Sequence, residues 1–187
     1  MKVLLLLEKR EEILLVIYTD GGCSGNGKIK NSGGFGVVVV DEATDELVFA
    51  YRRLCENTTN NREELKAILY ALLKFGYNTF EPIIVYSDSA YCVNTFNDWM
   101  YSWARNGWIK SDKKTPENLD LIKEYYNYIQ KGYKIDLRKI KGHAGHKWNE
   151  LADKLATGKI TISYAYESNG KCCPVDQKII EAYKGEI

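Results

Sequence analysis

Ile13-Leu14-Leu15-Val16-Ile17-Tyr18-Thr19-Asp20-Gly21-Gly22 decides how the rest of the chain is read. Its first seven residues are apolar, aromatic or β-branched, the pattern of a strand buried on both faces, and the Asp-Gly-Gly after them predicts a turn. Asp20 is thereby expected at the C-terminal end of a first strand. An acid in that place is either a turn residue, since Asp-Gly is a turn dipeptide, or a ligand held out beyond a sheet.

Outward from this stretch, glycines punctuate residues 25–34, and residues 35–40 and 47–52 read as two further strands separated by 41–46. Short connections make the three an antiparallel meander. From Asn61 the period changes. Leu65, Ile68, Leu69, Leu72 and Leu73 recur at helical spacing up to Gly76. Residues 82–87 predict a fourth strand leading into Asp88, with Ser89 as the N-cap of the next segment. A broken helical region then carries Trp99 and Trp103, residues 106–115 form a polar loop, and Pro116 at a first-turn position opens a helix to about Lys131. Residues 133–140 return as a strand, 141–146 as a glycine-bearing loop, and 148–157 as a last helix stopped by Gly158.

The order β-β-β-α-β-α-α-β-α predicts an α/β domain with one mixed sheet, because strands joined through helices lie parallel by right-handed crossovers. In such sheets ligands gather outside the carboxyl ends of parallel strands where the strand order reverses. Strands 1 and 4 flank that crevice, and both Asp20 and Asp88 point to it.

Two further acids come from helices. On a wheel of about 100° per residue Glu64 neighbours Ile68, Ala67 and Ala71, whereas Glu63 lies with Lys66, Tyr70 and Lys74. Glu64 is therefore expected to face the sheet edge and Glu63 to face water. A carboxylate at an apolar boundary costs desolvation unless something pairs with it, and a metal ion would. Asp153 lies beside Asn149 and Ala156, off the stripe of Trp148, Leu151 and Leu155, and by pattern alone reads as a solvated helix residue.

Around these acids stand four blocks: Tyr18-Thr19-Asp20-Gly21-Gly22-Cys23-Ser24-Gly25-Asn26, Thr58-Thr59-Asn60-Asn61-Arg62-Glu63-Glu64-Leu65, Ser87-Asp88-Ser89, and Lys141-Gly142-His143-Ala144-Gly145-His146 followed by Asn149-Glu150 and Asp153. In this order they resemble the active-site blocks of type 1 ribonuclease H, over residues 13–158. The resemblance implies a three-layer ribonuclease H-like fold whose central five-stranded mixed sheet, in order 3-2-1-4-5, is flanked by helices. It also implies endonucleolytic hydrolysis of the RNA strand of RNA–DNA hybrids, giving 5′-phosphate and 3′-hydroxyl ends. Asp20, Glu64, Asp88 and Asp153 would bind two Mg²⁺ ions, one activating the attacking water and one stabilising the leaving 3′-oxygen. All-oxygen ligands suit a hard cation, with Mn²⁺ as a substitute.

His143 matches the family's loop histidine, which serves proton transfer or product release. Asn26, Asn60 and Asn61 match positions that reach base edges or sugars in the minor groove, and Thr59 one that holds a DNA phosphate. Caps and turns are the other reading of the Thr-Thr-Asn-Asn run. Trp99, Trp103 and Trp108, with Arg105, Lys110, Lys113 and Lys114, resemble the basic protrusion of bacterial-type members that grips the DNA strand. Trp99 and Trp103, four apart on a helix, also read as core. The sequence departs from the pattern at Ala90, where glutamine is frequent, in a protrusion thinned by Ala104 and Asn106, and in the loop 27–33, which lacks the usual proline.

Composition agrees with such a domain. The 187 residues are 45% hydrophobic and 27% charged, the range of a folded domain rather than a disordered chain. A net charge of +1 hides an asymmetry, because residues 99–141 hold ten Lys/Arg against five Asp/Glu. A polyanion would dock there. Five cysteines without C-x-x-C spacing indicate neither a disulfide framework nor a zinc ribbon, and His143, His146, Cys172 and Cys173 have no recognised zinc spacing. No export signal or membrane span is expected, since the apolar run Val3 to Leu7 meets Glu8-Lys9-Arg10-Glu11-Glu12. A monomer in the reducing cytoplasm fits best. Residues 1–12 read as an N-terminal extension and 159–187 as a C-terminal one, with a strand over 160–166. A non-catalytic hybrid-binding module of the same fold is the alternative, although four converging acids without metal would repel one another. A DNA-acting relative such as an integrase or resolvase is a third, against which the Gly-His-Ala-Gly-His loop speaks.

Overall fold

The computed structural model describes residues 14–25, 31–77, 81–142 and 144–160. The proposed extension 1–12, residues 161–166 of the proposed terminal strand, Asn26 and His143 lie outside the described residues. Strands β1 (Leu15–Ser24), β2 (Ser32–Asp41) and β3 (Glu46–Glu56) form the antiparallel meander, followed by helix α1 (Asn60–Phe75), strand β4 (Ile83–Ser87) and helix α2 (Ala90–Asn94). A π-helical turn, Thr95–Trp99, joins α2 to α3 (Met100–Arg105), and α4 (Leu119–Gln130), β5 (Ile135–Lys139) and α5 (Lys147–Ala156) complete the order.

The sheet runs β3-β2-β1-β4-β5, with β1, β4 and β5 parallel and the meander antiparallel. It is the three-layer α/β architecture the sequence implies. Strand alternation divides the core. Ile17, Val37, Val39 and Val85 pack with Leu65, Ile68 and Leu72 of α1 and with Phe96 and Ile122. Val16, Val38 and Val40 pack on the other face with Trp148, Leu151 and Leu155 of α5. Both faces of β1 and β2 are therefore covered, which is why their sequences are apolar without alternation.

Two expectations about elements change. β1 does not turn at Asp20-Gly21-Gly22; it continues to Ser24, because the antiparallel pairing with β2 persists through Gly21↔Phe35 and Gly22↔Gly34 to Ser24↔Ser32. Gly21 is there for contact, not for a turn: a Cβ on it would lie 2.1 Å from the backbone nitrogen of Glu64. α4 starts at Leu119 rather than near Pro116, because Asn118 holds a left-handed conformation, φ 55°, that no right-handed helix contains. Arg62 fixes that start, reaching Asn118 Oδ1 at 3.4 Å and Asp120 Oδ1 at 2.9 Å. No helix among the described residues is long and apolar enough to cross a membrane.

Candidate active site

The parallel pairing of β1 with β4 ends at Thr19↔Ser87, so Asp20 and Asp88 occupy the next position on neighbouring strands, beyond the last shared rung. Adjacent strands lie about 4.8 Å apart, which sets the spacing of the two carboxylates. α1 supplies the third. Its N-cap is Thr59, whose hydroxyl accepts the Arg62 amide at 3.2 Å, and the bare Gly21 backbone lets the first turn sit directly on β1. Glu64 is thus delivered over Gly21 to the strand ends, and ligand oxygens of Asp20, Glu64 and Asp88 all come within 4.8 Å of one another.

Two of the three carboxylates are buried, and Asp88 is partly exposed. Asp20 and Glu64 are 7% and 6% exposed. Burial first, then the charges of Asp88 and Asp153, push Asp20 up to about 7, against the Gly21 amide that it accepts at 2.7 Å. Glu64 is raised well above the usual carboxylate range, again mainly by burial and then by Asp20 and Asp88. Its Oε2 is buried without a hydrogen-bond partner. Such a set holds either protons or cations.

Asp153 lines the same cleft from α5, outside the close trio, with a side chain 25% exposed and 3.4 Å from Lys159 Nζ. It is neither the fully solvated residue its helix pattern suggests nor part of the buried cluster. Glu63 is the plain correction. It is 0% exposed, with Oε1 accepting from Thr58 Oγ1 and Lys66 Nζ, both at 2.5 Å. The wheel fails because Asn60 and Asn61 hold the solvent side of the first turn of α1, while Glu63 is turned under the preceding turn onto the Thr58 hydroxyl.

Asn149 has a place to which no sequence pattern assigns a role. It is 3% exposed, and its Nδ2 donates to Asp88 Oδ2 at 3.3 Å. Its one signal is its position in the last motif block. Gly142 closes the site from above: a Cβ there would lie 2.4 Å from Asp88 Oδ2. Arg52, which lacks any sequence signal, lines the cleft from β3 and donates to the Ile160 carbonyl at 2.6 Å, holding the segment that carries Lys159.

The cleft has a volume of about 1060 Å³, above the roughly 300–1,000 Å³ usual for small-molecule pockets. Asn60 and Asn61 line it, and Thr59 is exposed beside them. Trp99, Trp103, Arg105, Trp108, Lys110, Lys113 and Lys114 do not line it. Trp103 and Trp108 pack against the larger core, Trp108 edge-on to Tyr126 with Lys123 Nζ 5.5 Å over its ring. Trp99 is 37% exposed and rests on Tyr91 and Trp103. Arg105, Lys113 and Lys114 are exposed, and Lys110 stands 3.7 Å from Asp112.

Comparison with known proteins agrees with this fold. The family model described as RNase H matches residues 12–161. The chain is 41% identical to the ribonuclease H of Thermoanaerobacter sp. (strain X514) over 145 residues, 77% of this chain and 88% of that protein. Against the ribonuclease H of Caldanaerobacter subterraneus subsp. tengcongensis the identity is 39% over 153 residues, 81% of this chain and 94% of that one. Among solved structures, LC9-RNase H1, a type 1 RNase H with the type 2 active-site motif, superposes with a TM-score of 0.62 at 32% identity, covering 76% of this chain and 69% of its own.

Proposed function

The chain belongs to the ribonuclease H family, and on that premise we propose that it is an endonuclease that hydrolyses the RNA strand of RNA–DNA hybrids with divalent cations. The observation that carries the reading is the convergence of Asp20, Glu64 and Asp88 within 4.8 Å, with a Glu64 oxygen buried and unpartnered. All-oxygen donors of like charge, two of the three buried, fit a hard cation such as Mg²⁺, with Mn²⁺ in its place. Asp20, Glu64, Asp88 and Asp153 would hold two such ions. When bound, they would lower the pKa of the attacking water and neutralise charge on the leaving 3′-oxygen.

The protein's own residues do the rest. Asn149 steadies Asp88, and the bare Gly142 backbone lies directly against it. His143, on that loop, would carry protons or speed product release. Asn26, Asn60 and Asn61 would touch the hybrid in its minor groove and Thr59 a DNA phosphate, with the RNA strand told apart by its 2′-hydroxyls. Trp99, Trp103, Arg105, Trp108, Lys110, Lys113 and Lys114 would hold the DNA strand farther out, through salt-sensitive phosphate contacts. The products would be 5′-phosphate and 3′-hydroxyl ends. A monomer acting in the cytoplasm, with residues 13–158 as the nuclease domain, completes the reading.

A gel assay of end-labelled RNA tests it. Cutting in a hybrid with Mg²⁺ or Mn²⁺, none with chelator and none of duplex DNA, is expected. Tight hybrid binding without turnover in either ion would overturn it in favour of a binding module.

A further inference from the structure

The turn that enters α1 is held at every polar atom of one residue. Thr58 is 3% exposed; its amide donates to Asn31 Oδ1 at 2.8 Å, its carbonyl accepts from Asn31 Nδ2 at 2.9 Å, and its hydroxyl donates to Glu63 Oε1 at 2.5 Å. The Asn31 side chain thus pairs with the Thr58 peptide as a neighbouring strand would. The Thr58 methyl group lands where β2 is bare, since a Cβ on Gly33 would lie 2.6 Å from Thr58 Cγ2. The Cys23 thiol also donates to the Thr58 carbonyl, at 3.5 Å.

Glu63 is the unusual member of this group. A wholly enclosed carboxylate is costly even when paired, and Glu63 is not among the acids that converge beyond the strand ends. What it touches is the Thr58 hydroxyl and the Lys66 ammonium. Thr58 in turn precedes Thr59, the N-cap, and Asn60 and Asn61, which are exposed and line the cleft. The directions of those three residues depend on how Thr58 is held.

We infer that Asn31 and Glu63 are positioning residues for the nucleic acid: together they clamp Thr58, so that Thr59, Asn60 and Asn61 meet the hybrid in one preformed arrangement. Ordering a loop on binding lowers affinity, and a turn ordered beforehand avoids that loss. The identity of the ligand rests on the hybrid-nuclease reading; the clamp rests on the geometry alone.

Two measurements on the full chain test this. Thr58→Val keeps the shape and removes the hydroxyl, Thr58→Ser keeps the hydroxyl, and Asn31→Ala removes the peptide pairing. Steady-state cleavage of a labelled RNA–DNA hybrid in Mg²⁺, well below each melting temperature, is expected to show KM raised roughly five- to tenfold in Thr58→Val, the size of one buried hydrogen bond, and at least as much in Asn31→Ala, which removes two. kcat should stay within about twofold, and Thr58→Ser should restore KM. Without nucleic acid, hydrogen exchange of the 59–62 amides should quicken in the same two variants. Unchanged exchange overturns the clamp. Quickened exchange with unchanged KM, or kcat falling in step with the folded fraction, overturns its role in binding. A wild-type chain that cuts no hybrid sinks the functional reading instead, and exchange alone then upholds or sinks the clamp.

Discussion

α1 and α5 both bring an acid to the cleft, and both touch the sheet through bare glycine backbone, yet they deliver their acids in opposite states. α1 sits on Gly21, and Glu64 arrives 6% exposed among two other carboxylates. α5 sits on Gly36, where a Cβ would lie 2.3 Å from the Ala152 carbonyl, and Asp153 arrives at the rim, a quarter exposed and beside Lys159. The glycine seats fix helix-to-sheet distance in both cases. What differs is the charge environment: the α1 acid is surrounded by like charges and the α5 acid already has a cation beside it. The floor of the cleft should therefore depend on metal far more than the rim does.

The largest effect is expected at the floor. Asp88→Asn removes one of the three close carboxylates, and hybrid cleavage in Mg²⁺ should fall by roughly 10²–10³-fold or more, while hybrid binding persists. The same change should raise the melting temperature of the chelated protein, because Asp88 is among the charges that raise Asp20 and Glu64. A variant that melts lower and cuts normally would remove Asp88 from the site.

Much of this floor is legible in the sequence. The run into Asp20, the short strand into Asp88 and the helical stripe that selects Glu64 each place an acid by local pattern. Periodicity also assigns Glu63 to water, and there it fails: a wheel sees one helix, whereas Glu63 is held by the hydroxyl of Thr58, which is not on the helix. The turn expected at Asp20-Gly21-Gly22 fails for a related reason. Glycine pairs signal turns when only the local chain is considered, but here Gly21 admits α1 and Gly22 faces the end of α5, both distant in sequence. Asp153 rests on its motif, because the cation beside it is Lys159, after the helix, in a segment that Arg52 of a distant strand holds through the Ile160 carbonyl.

The glycine seats allow the two helices to be disturbed separately. Gly21→Ala and Gly36→Ala each force backbone apart, at a cost of about 3 kcal/mol or more, beyond ordinary overpacking. Chemical denaturation should show similar losses for the two. Activity of the folded fraction should fall further in Gly21→Ala, which meets the Glu64 backbone itself, than in Gly36→Ala, which pushes on α5, the carrier of Asp153 and Asn149, from the rung that pairs with Asp20. Equal activity losses would mean that rim and floor are equally demanding.

Metal and pH probe the floor without mutation. In the folded, metal-free chain Asp20 keeps its proton to about pH 7, whereas its ordinary value is 3.8. Between those values the folded state binds more protons than the unfolded one, so stability must fall as pH rises. Asp20 alone accounts for about 2–4 kcal/mol of that fall, and Glu64 acts in the same direction. Denaturant melts of chelated protein should therefore weaken from about pH 4 to about pH 7. Mg²⁺ should restore stability most at the upper end, where protons no longer compete. Metal-free stability that is flat or rising over this range would mean that Asp20 and Glu64 are less enclosed than their burial implies.

The smallest effect belongs to the rim. Lys159 Nζ stands 3.4 Å from Asp153 Oδ2 with 64% of its side chain exposed, and exposed pairs contribute about 0–1 kcal/mol. Lys159→Ala should therefore lower the Mg²⁺ concentration for half-maximal activity, and for half-maximal thermal stabilisation, by no more than roughly threefold. Because the pair is solvated, the gain should shrink as salt is raised. Thermal stabilisation is the decisive readout, since it needs no substrate. If Lys159→Ala leaves the Mg²⁺ midpoint of melting unchanged and raises KM for the hybrid instead, the lysine serves the nucleic acid and not the acid beside it, and the difference between floor and rim would then lie in burial alone.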